Sequence, residues 1–127
     1  MARILVVEDN ALNIKLFCDL LSAHGHEPRP VTDSRTALAP AREFRPDLVI
    51  TDIQLPYVSG LDLIRAIRAE PELAEVPIMA VTAYSGHGDD ERIRAAGAQA
   101  YVSKPISVAR FVAEVSALLP KQEAVAV

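Results

Sequence analysis

A chain of 127 residues, half of them apolar and 24% charged, has the size and balance of one ordinary globular domain, which excludes a disordered segment and two typical domains. The formal net charge of −4, with Lys and Arg scattered, argues against broad attraction to nucleic acid or to an anionic membrane. Cys18 is the single cysteine, so no internal disulfide can form, and no apolar run reaches signal-peptide or membrane-span length; the expectation is a cytoplasmic protein without membrane insertion.

Ile4 to Val7 is a continuous apolar run, the pattern of a strand buried on both faces. Helical spacing follows over Ala11 to His24, with Asn10 as an N-cap type and Gly25 as a C′ stop. Glu27 to Val31 reads as a second strand. Pro28 and Pro30 each remove a ladder donor there, which places it at a sheet edge.

Ser34 to Phe44 has helical spacing behind Asp33, a further N-cap type, and Pro40 inside it predicts a kink or a split. Leu48 to Thr51 is the third strand and Ser59 to Ala69 the third helical segment, with Ser59 at its start. Ile78 to Val81 and Ala100 to Ser103 read as the last two strands, Gly88 to Ala96 and Val108 to Leu119 as the last two helices, the final one behind Ser107. From Pro120 onward periodicity is lost. One domain is therefore expected over residues 1–119, followed by a short frayed tail, 120–127.

Five strand–helix units with short connections predict an α/β fold: a doubly wound five-stranded parallel sheet, order 2-1-3-4-5, with five flanking helices. In such sheets ligands bind outside the carboxyl ends of the strands. Those ends are polar here. Glu8 and Asp9 follow the first strand, Asp52 the third, Thr82 the fourth and Lys104-Pro105 the fifth.

Gathered acids repel one another unless a cation neutralises them, and one lysine does not suffice for three carboxylates. A hard divalent ion fits best: Mg²⁺, with Mn²⁺ as a substitute, bound by carboxylates, a backbone carbonyl and water. With it, an ionised Asp52 can act as nucleophile toward phosphorus, while Lys104 and Thr82 meet the phosphoryl oxygens. Each of these residues alone is equally read as a helix cap or a solvated loop residue. Their coincidence at four strand ends is what favours chemistry.

The segments ILVVEDN (Ile4 to Asn10), DLVITDIQLPYVSG (Asp47 to Gly60), AVTAY (Ala80 to Tyr84) and AYVSKPIS (Ala100 to Ser107) resemble the receiver domain of two-component response regulators, the CheY-like family. The resemblance implies that Asp52 is the phosphorylated aspartate, that Asp9 ligates Mg²⁺ directly, Glu8 through water and Gln54 through its backbone carbonyl. It further implies that Thr82 is the switch hydroxyl, Lys104 its cationic partner and Tyr101 the switch aromatic, that Lys104-Pro105 is a cis bond, and that Gln54 and Tyr84 flank the pocket. Read from the residues alone, Tyr101 is a core aromatic with its hydroxyl at the surface. Gly60 carries no chemistry and serves backbone freedom or close packing.

VEDNALNIKLF, DIQLPYVSGL and SKPISV are similar to single-domain receivers of the DivK type, which implies contact-based output in bacterial cell-cycle or developmental control. The expected partners are a histidine kinase or histidine phosphotransfer protein and a downstream protein target, with no nucleic acid. The VEDN-x-x-N opening also resembles receivers joined to hybrid histidine kinases. Met1 directly before the first strand favours the stand-alone form. Two other classes stay in view. A phosphatase of the haloacid-dehalogenase type needs a second acid two residues after Asp52, where Gln54 stands, and a pseudo-receiver scaffold lacks part of the constellation. The expected protein is a phospho-acceptor and not an enzyme in the ordinary sense.

On the first helix Leu16, Phe17, Leu20 and Leu21 have core spacing, and Ile14 and Cys18 widen the stripe toward solvent. That flank is either a partner-docking face or simply a broad core stripe. Of the histidines, His24 and His26 lie far from the acidic edge, and His87 belongs to a glycine-flanked loop.

Overall fold

The computed structural model describes residues 2–83 and 89–119. The strands are β1 (Arg3–Val7), β2 (Glu27–Val31), β3 (Leu48–Asp52), β4 (Ile78–Thr82) and β5 (Ala100–Ser103). The helices are α1 (Ala11–Ala23), α2 (Leu38–Phe44), α3 (Gly60–Ala69), α4 (Asp89–Ala96) and α5 (Val108–Leu118), with 3₁₀ turns at Ser34–Thr36 and Pro71–Leu73. The strands form one parallel sheet in the order β2-β1-β3-β4-β5, as the sequence predicts.

β2 lies at the edge because of its prolines. Glu27 donates to the Ala2 carbonyl (2.8 Å) and Val31 accepts from Glu8 (3.1 Å), so odd-numbered residues of β2 face the ladder. Pro28 and Pro30, paired in register with Ile4 and Val6, therefore turn their missing N–H groups outward.

Strand periodicity divides the core into two layers. Leu5, Val7, Val49, Ile78 and Ala80 pack with Leu63, Ile64 and Ile67 of α3 and Ile93 of α4 on one face. Ile4, Val6, Leu48, Ile50, Met79, Val81 and Val102 pack on the other face with Phe17 and Leu21 of α1 and Phe111 and Val115 of α5. Phe17 and Phe111 stack at 5.1 Å between centroids, joining α1 to α5.

Helix ends follow local chemistry. Asn10 Oδ1 accepts from the N–H groups of Leu12 and Asn13, Ser59 Oγ from Asp62, and Ser107 Oγ from Arg110. At the other end of α1, His26 N–H bonds Leu21 O and Gly25 N–H bonds Ser22 O, a Schellman closure with Gly25 at φ +83°.

The second helical segment is split, as expected, but the place of the break and of the cap is corrected. The break falls at Ala37, between the 3₁₀ turn and α2, and Asp33 caps the turn through Arg35 N–H instead of capping the helix. Pro40 is the third residue of α2. Its missing N–H falls among the first-turn groups that have no intrahelical acceptor, so it needs no kink. A further correction concerns α1, where Leu16 is 39% exposed and stands outside the core stripe, and Leu12 is 79% exposed. Ile14 and Cys18 are half-buried. At 100° per residue the Leu12–Leu16 and Ile14–Cys18 pairs lie on opposite sides of the buried Phe17–Leu21 stripe, so the apolar surplus belongs to the first pair. Among the described residues no helix is long and apolar enough to cross a membrane. The expected tail at 120–127 lies outside the described residues.

Candidate functional site

Two-residue alternation along the strands selects which side chains meet at the carboxyl edge. Val6, Ile50 and Val102 face α1 and α5. Two residues further along their chains come Glu8, Asp52 and Lys104, which emerge on that same side of the sheet just past the core. Thr82 follows Ala80 on the opposite face, where Tyr101, the register partner of Ala80, is partly buried against the core. The Lys104 N–H donates to the Thr82 carbonyl at 2.7 Å, fixing the start of the β5–α5 connection beside the end of β4.

Glu8 and Asp52 are held in the same way. Glu8 Oε2 accepts from the N–H of Asn10 (3.1 Å) and Asp52 Oδ1 from the N–H of Gln54 (3.1 Å), each two residues downstream. Their other oxygens converge on one ammonium: Lys104 Nζ lies 2.8 Å from Asp52 Oδ2 and 3.3 Å from Glu8 Oε1. Glu8 and Asp52 are 1% and 4% exposed, whereas Asp9 is exposed at the mouth. Thr82 is also buried.

Burial pushes the Glu8 carboxyl above its ordinary range, and the charge of Asp52 adds to that, against the Asn10 N–H and Lys104. Burial would lower the Lys104 ammonium, yet its hydrogen bond to Asp52 and the charges of Asp52 and Glu8 hold it above its usual value. The lysine stays charged at neutral pH, but it faces two carboxylates, Asp52 and Glu8.

Oxygens of Glu8, Asp9 and Asp52 lie within 4.8 Å of one another and could hold a metal ion. Glu8 Oε1 is a buried acceptor with no hydrogen-bond partner among the described residues, only the ammonium at ion-pair distance. An unsatisfied buried oxygen in an all-oxygen donor set fits a hard cation.

The β3–α3 loop closes against this site. Ile53 O accepts from the N–H groups of Leu55 and Gly60. A Cβ on Gly60 would stand 2.1 Å from the Asp52 carbonyl oxygen, so close packing and not backbone freedom demands glycine there. The Lys104-Pro105 bond is cis. Tyr84 and His87 lie outside the described residues. Ile14 and Cys18 stand on the α1 flank away from the groove of about 430 Å³ that Asn13, Leu16, Phe17, Lys104, Pro105 and Ile106 line beside the acids.

Sequence reasoning missed Ser34. Its buried hydroxyl reaches the β3–α3 loop, donating to Pro56 O and accepting from Val58 N–H. Leu12 was also missed. Only its place four residues before Leu16 hinted at a shared flank.

The family model for the response regulator receiver domain matches residues 4–116. The polar-differentiation response regulator DivK of Brucella anthropi is 49% identical over 116 residues, covering 91% of this chain and 94% of that protein; DivK of Brucella ovis is 48% identical with the same coverage. Chemotaxis protein CheY4 of Vibrio cholerae has a similar structure, with a TM-score of 0.89 at 26% identity over 94% of this chain and 99% of that chain. The receiver domain of a sensor histidine kinase from Pseudomonas aeruginosa PAO1, solved with a magnesium ion coordinated in its active-site cleft, gives a TM-score of 0.84 at 32% identity over 92% of this chain and 96% of that one. A doubly wound sheet with an acid-and-lysine cluster at its carboxyl edge, matched along nearly its whole length, is a member of the response regulator receiver domain family.

Proposed function

We propose that this receiver accepts a phosphoryl group on Asp52 from a phosphohistidine of a kinase or phosphotransfer protein, and signals by binding a protein target. The observation that carries the reading is the Lys104 ammonium shared between Asp52 and Glu8. It holds one oxygen of a nearly buried aspartate and leaves a charged donor beside the place where phosphoryl oxygens arrive.

An Asp52 oxygen attacks phosphorus while the bond to the donor imidazole nitrogen breaks, and the imidazole leaves with that electron pair. Lys104 follows the incoming oxygens, and the buried Thr82 hydroxyl stands on the strand next to Asp52 to meet another of them. Asp9, Asp52 and the Gln54 carbonyl, with Glu8 behind them, would hold Mg²⁺. The ion, when bound, supplies charge neutralisation for the carboxylates and the phosphoryl oxygens. Tyr101 shares the face of Thr82 and is the candidate reporter of the switched state. Tyr84 and Gln54 are the candidate flanking residues.

Similarity to DivK along most of both chains supports a stand-alone regulator of polar differentiation or the cell cycle, acting in the cytoplasm as one domain with a short tail. Specificity would lie on the Leu12–Leu16 flank beside the groove, where an apolar helix of the phosphodonor can lie close to Asp52. The Ile14–Cys18 flank is half-buried and the weaker candidate.

The deciding experiment is labelling with acetyl phosphate, with and without Mg²⁺, in wild type and Asp52→Asn. Magnesium-dependent modification that the variant loses supports the reading. Turnover of diverse phosphate esters would replace it with a phosphatase, and no modification under either condition would replace it with a binding scaffold.

A further inference from the structure

Ser34 is buried at 5% exposure between the exposed Thr32 and Arg35, and both functions of its hydroxyl are spent on a distant loop. Oγ donates to Pro56 O at 3.0 Å and accepts from Val58 N–H at 3.3 Å. A serine serving only its own turn bonds its neighbouring backbone. Here Asp33 does that, accepting from the Arg35 N–H at 2.9 Å. Ser34 is left to serve the segment between Asp52 and α3.

That segment has two unequal halves. Leu55 is buried and anchors the first. The second, Pro56 and Tyr57, is exposed, with Tyr57 at 74% and φ +70°, so apolar burial does little to hold it. Two polar devices from the β2–α2 connection hold it instead: the Ser34 hydroxyl beneath the turn, and the Arg35 guanidinium stacked 3.7 Å from the Tyr57 ring centroid. Arg35 is itself gripped by Asp33 at 3.1 and 2.9 Å.

Gln54 lies between the two fixed points. Its N–H holds Asp52 Oδ1, and two residues later the chain is latched by Ser34. We propose that Ser34 is a positioning residue for the cation site, setting the plane of the Gln54 peptides and hence its carbonyl and its grip on Asp52. The inference rests on the receiver reading above, in which that carbonyl is a ligand. Releasing the latch lets the loop pivot on Leu55 while the core stays packed, so the cation site loosens more than the fold does.

The test is calorimetric Mg²⁺ titration of the full chain as wild type, Ser34→Ala and Ser34→Cys, together with amide exchange at Gln54 and Val58 without metal. Ser34→Ala should raise the magnesium half-saturation about tenfold, the lower end for a group that orients a metal ligand. Ser34→Cys, similar in shape but a weaker donor, should fall between, and exchange at both amides should quicken. An unchanged half-saturation in either folded variant overturns the proposal, even if Val58 exchange quickens, because the latch would then be structural only. Should Ser34→Ala fail to fold, Ser34→Cys decides alone. Failure of wild type to take phosphoryl from acetyl phosphate with Mg²⁺ would instead overturn the receiver reading.

Discussion

Lys104 Nζ and Asp52 Oδ2 are 2.8 Å apart, so one side chain from the end of β5 already engages the proposed acceptor. The same ammonium separates Asp52 from Glu8, which makes Lys104 a spacer between two nearly buried like charges as well as a donor. Lys104→Met should therefore cost stability in the absence of divalent ions. Part-exposure of the lysine reduces the loss from that of a fully buried pair to about 1–2 kcal/mol. Urea unfolding in chelator at pH 7 measures it. Added Mg²⁺ should recover much of the difference, and labelling of Asp52 should stay slow even then, because the cation replaces the charge of the lysine but not its position.

Gly60 is constrained by the backbone of Asp52 itself. A methyl group there would meet the Asp52 carbonyl oxygen at 2.1 Å and Ile53 Cα at 2.5 Å, and neither can swing aside as a flexible side chain can. Gly60→Ala should lose about 2–3 kcal/mol, the cost of overpacking a tight contact. It should also slow acetyl-phosphate labelling, because α3 can only relieve the clash by moving the Asp52–Ile53 peptide. Thermal unfolding and labelling on one preparation would check both.

What was readable in the sequence and what was not divides along the range of the interaction. Pro28 and Pro30 gave away the edge strand because a missing donor is a local fact. Glu8, Asp52, Thr82 and Lys104 were readable because each stands directly after an apolar run, and fold topology alone brings strand ends together. Ser34 was not, since its partners lie 22 and 24 residues away and a serine there looks like the start of a helix. Arg68 is a similar case. Its guanidinium donates to Val76 O at 2.6 Å and to Gly97 O at 2.8 Å, tying together loops that share no sequence pattern. The exposure of Leu12 and Leu16 was hidden for another reason: periodicity locates the Phe17–Leu21 stripe, but not which of its two sides the rest of the fold leaves open.

His26 adds a pH dependence unrelated to the acidic site. Its Nδ1 is buried without a hydrogen-bond partner among the described residues, in a cleft with His24, Leu20, Leu21, Phe111 and Val115. Burial, the α-amino group and His24 all hold its pKa below 6.5. A histidine depressed in the folded state binds its proton more readily when unfolded, so stability is fully present above pH 6.5 and declines as pH falls through the folded value. His26→Gln should flatten that part of the stability curve. Chemical denaturation of both proteins at pH 7.5 and at successively lower values would reveal it, and parallel curves would refute it.

The flank of α1 that faces solvent offers the sharpest separation of docking from chemistry. Leu12 is 79% exposed, so Leu12→Glu should change stability by less than about 0.5 kcal/mol, as surface substitutions generally do. Acetyl phosphate reaches Asp52 without touching α1, and labelling by it should be unaltered. Transfer from a cognate phosphohistidine donor should slow by about tenfold or more if Leu12 anchors the partner helix, the effect of losing about 1.4 kcal/mol of contact. Ile14→Glu is the matched control on the other side of the Phe17–Leu21 stripe. Half-buried against the body of the protein, it should lower stability and affect both routes alike. If Ile14→Glu alone slows the protein donor selectively, the partner lies on the β2 side of α1; if neither variant separates the two donors, specificity does not reside on this helix.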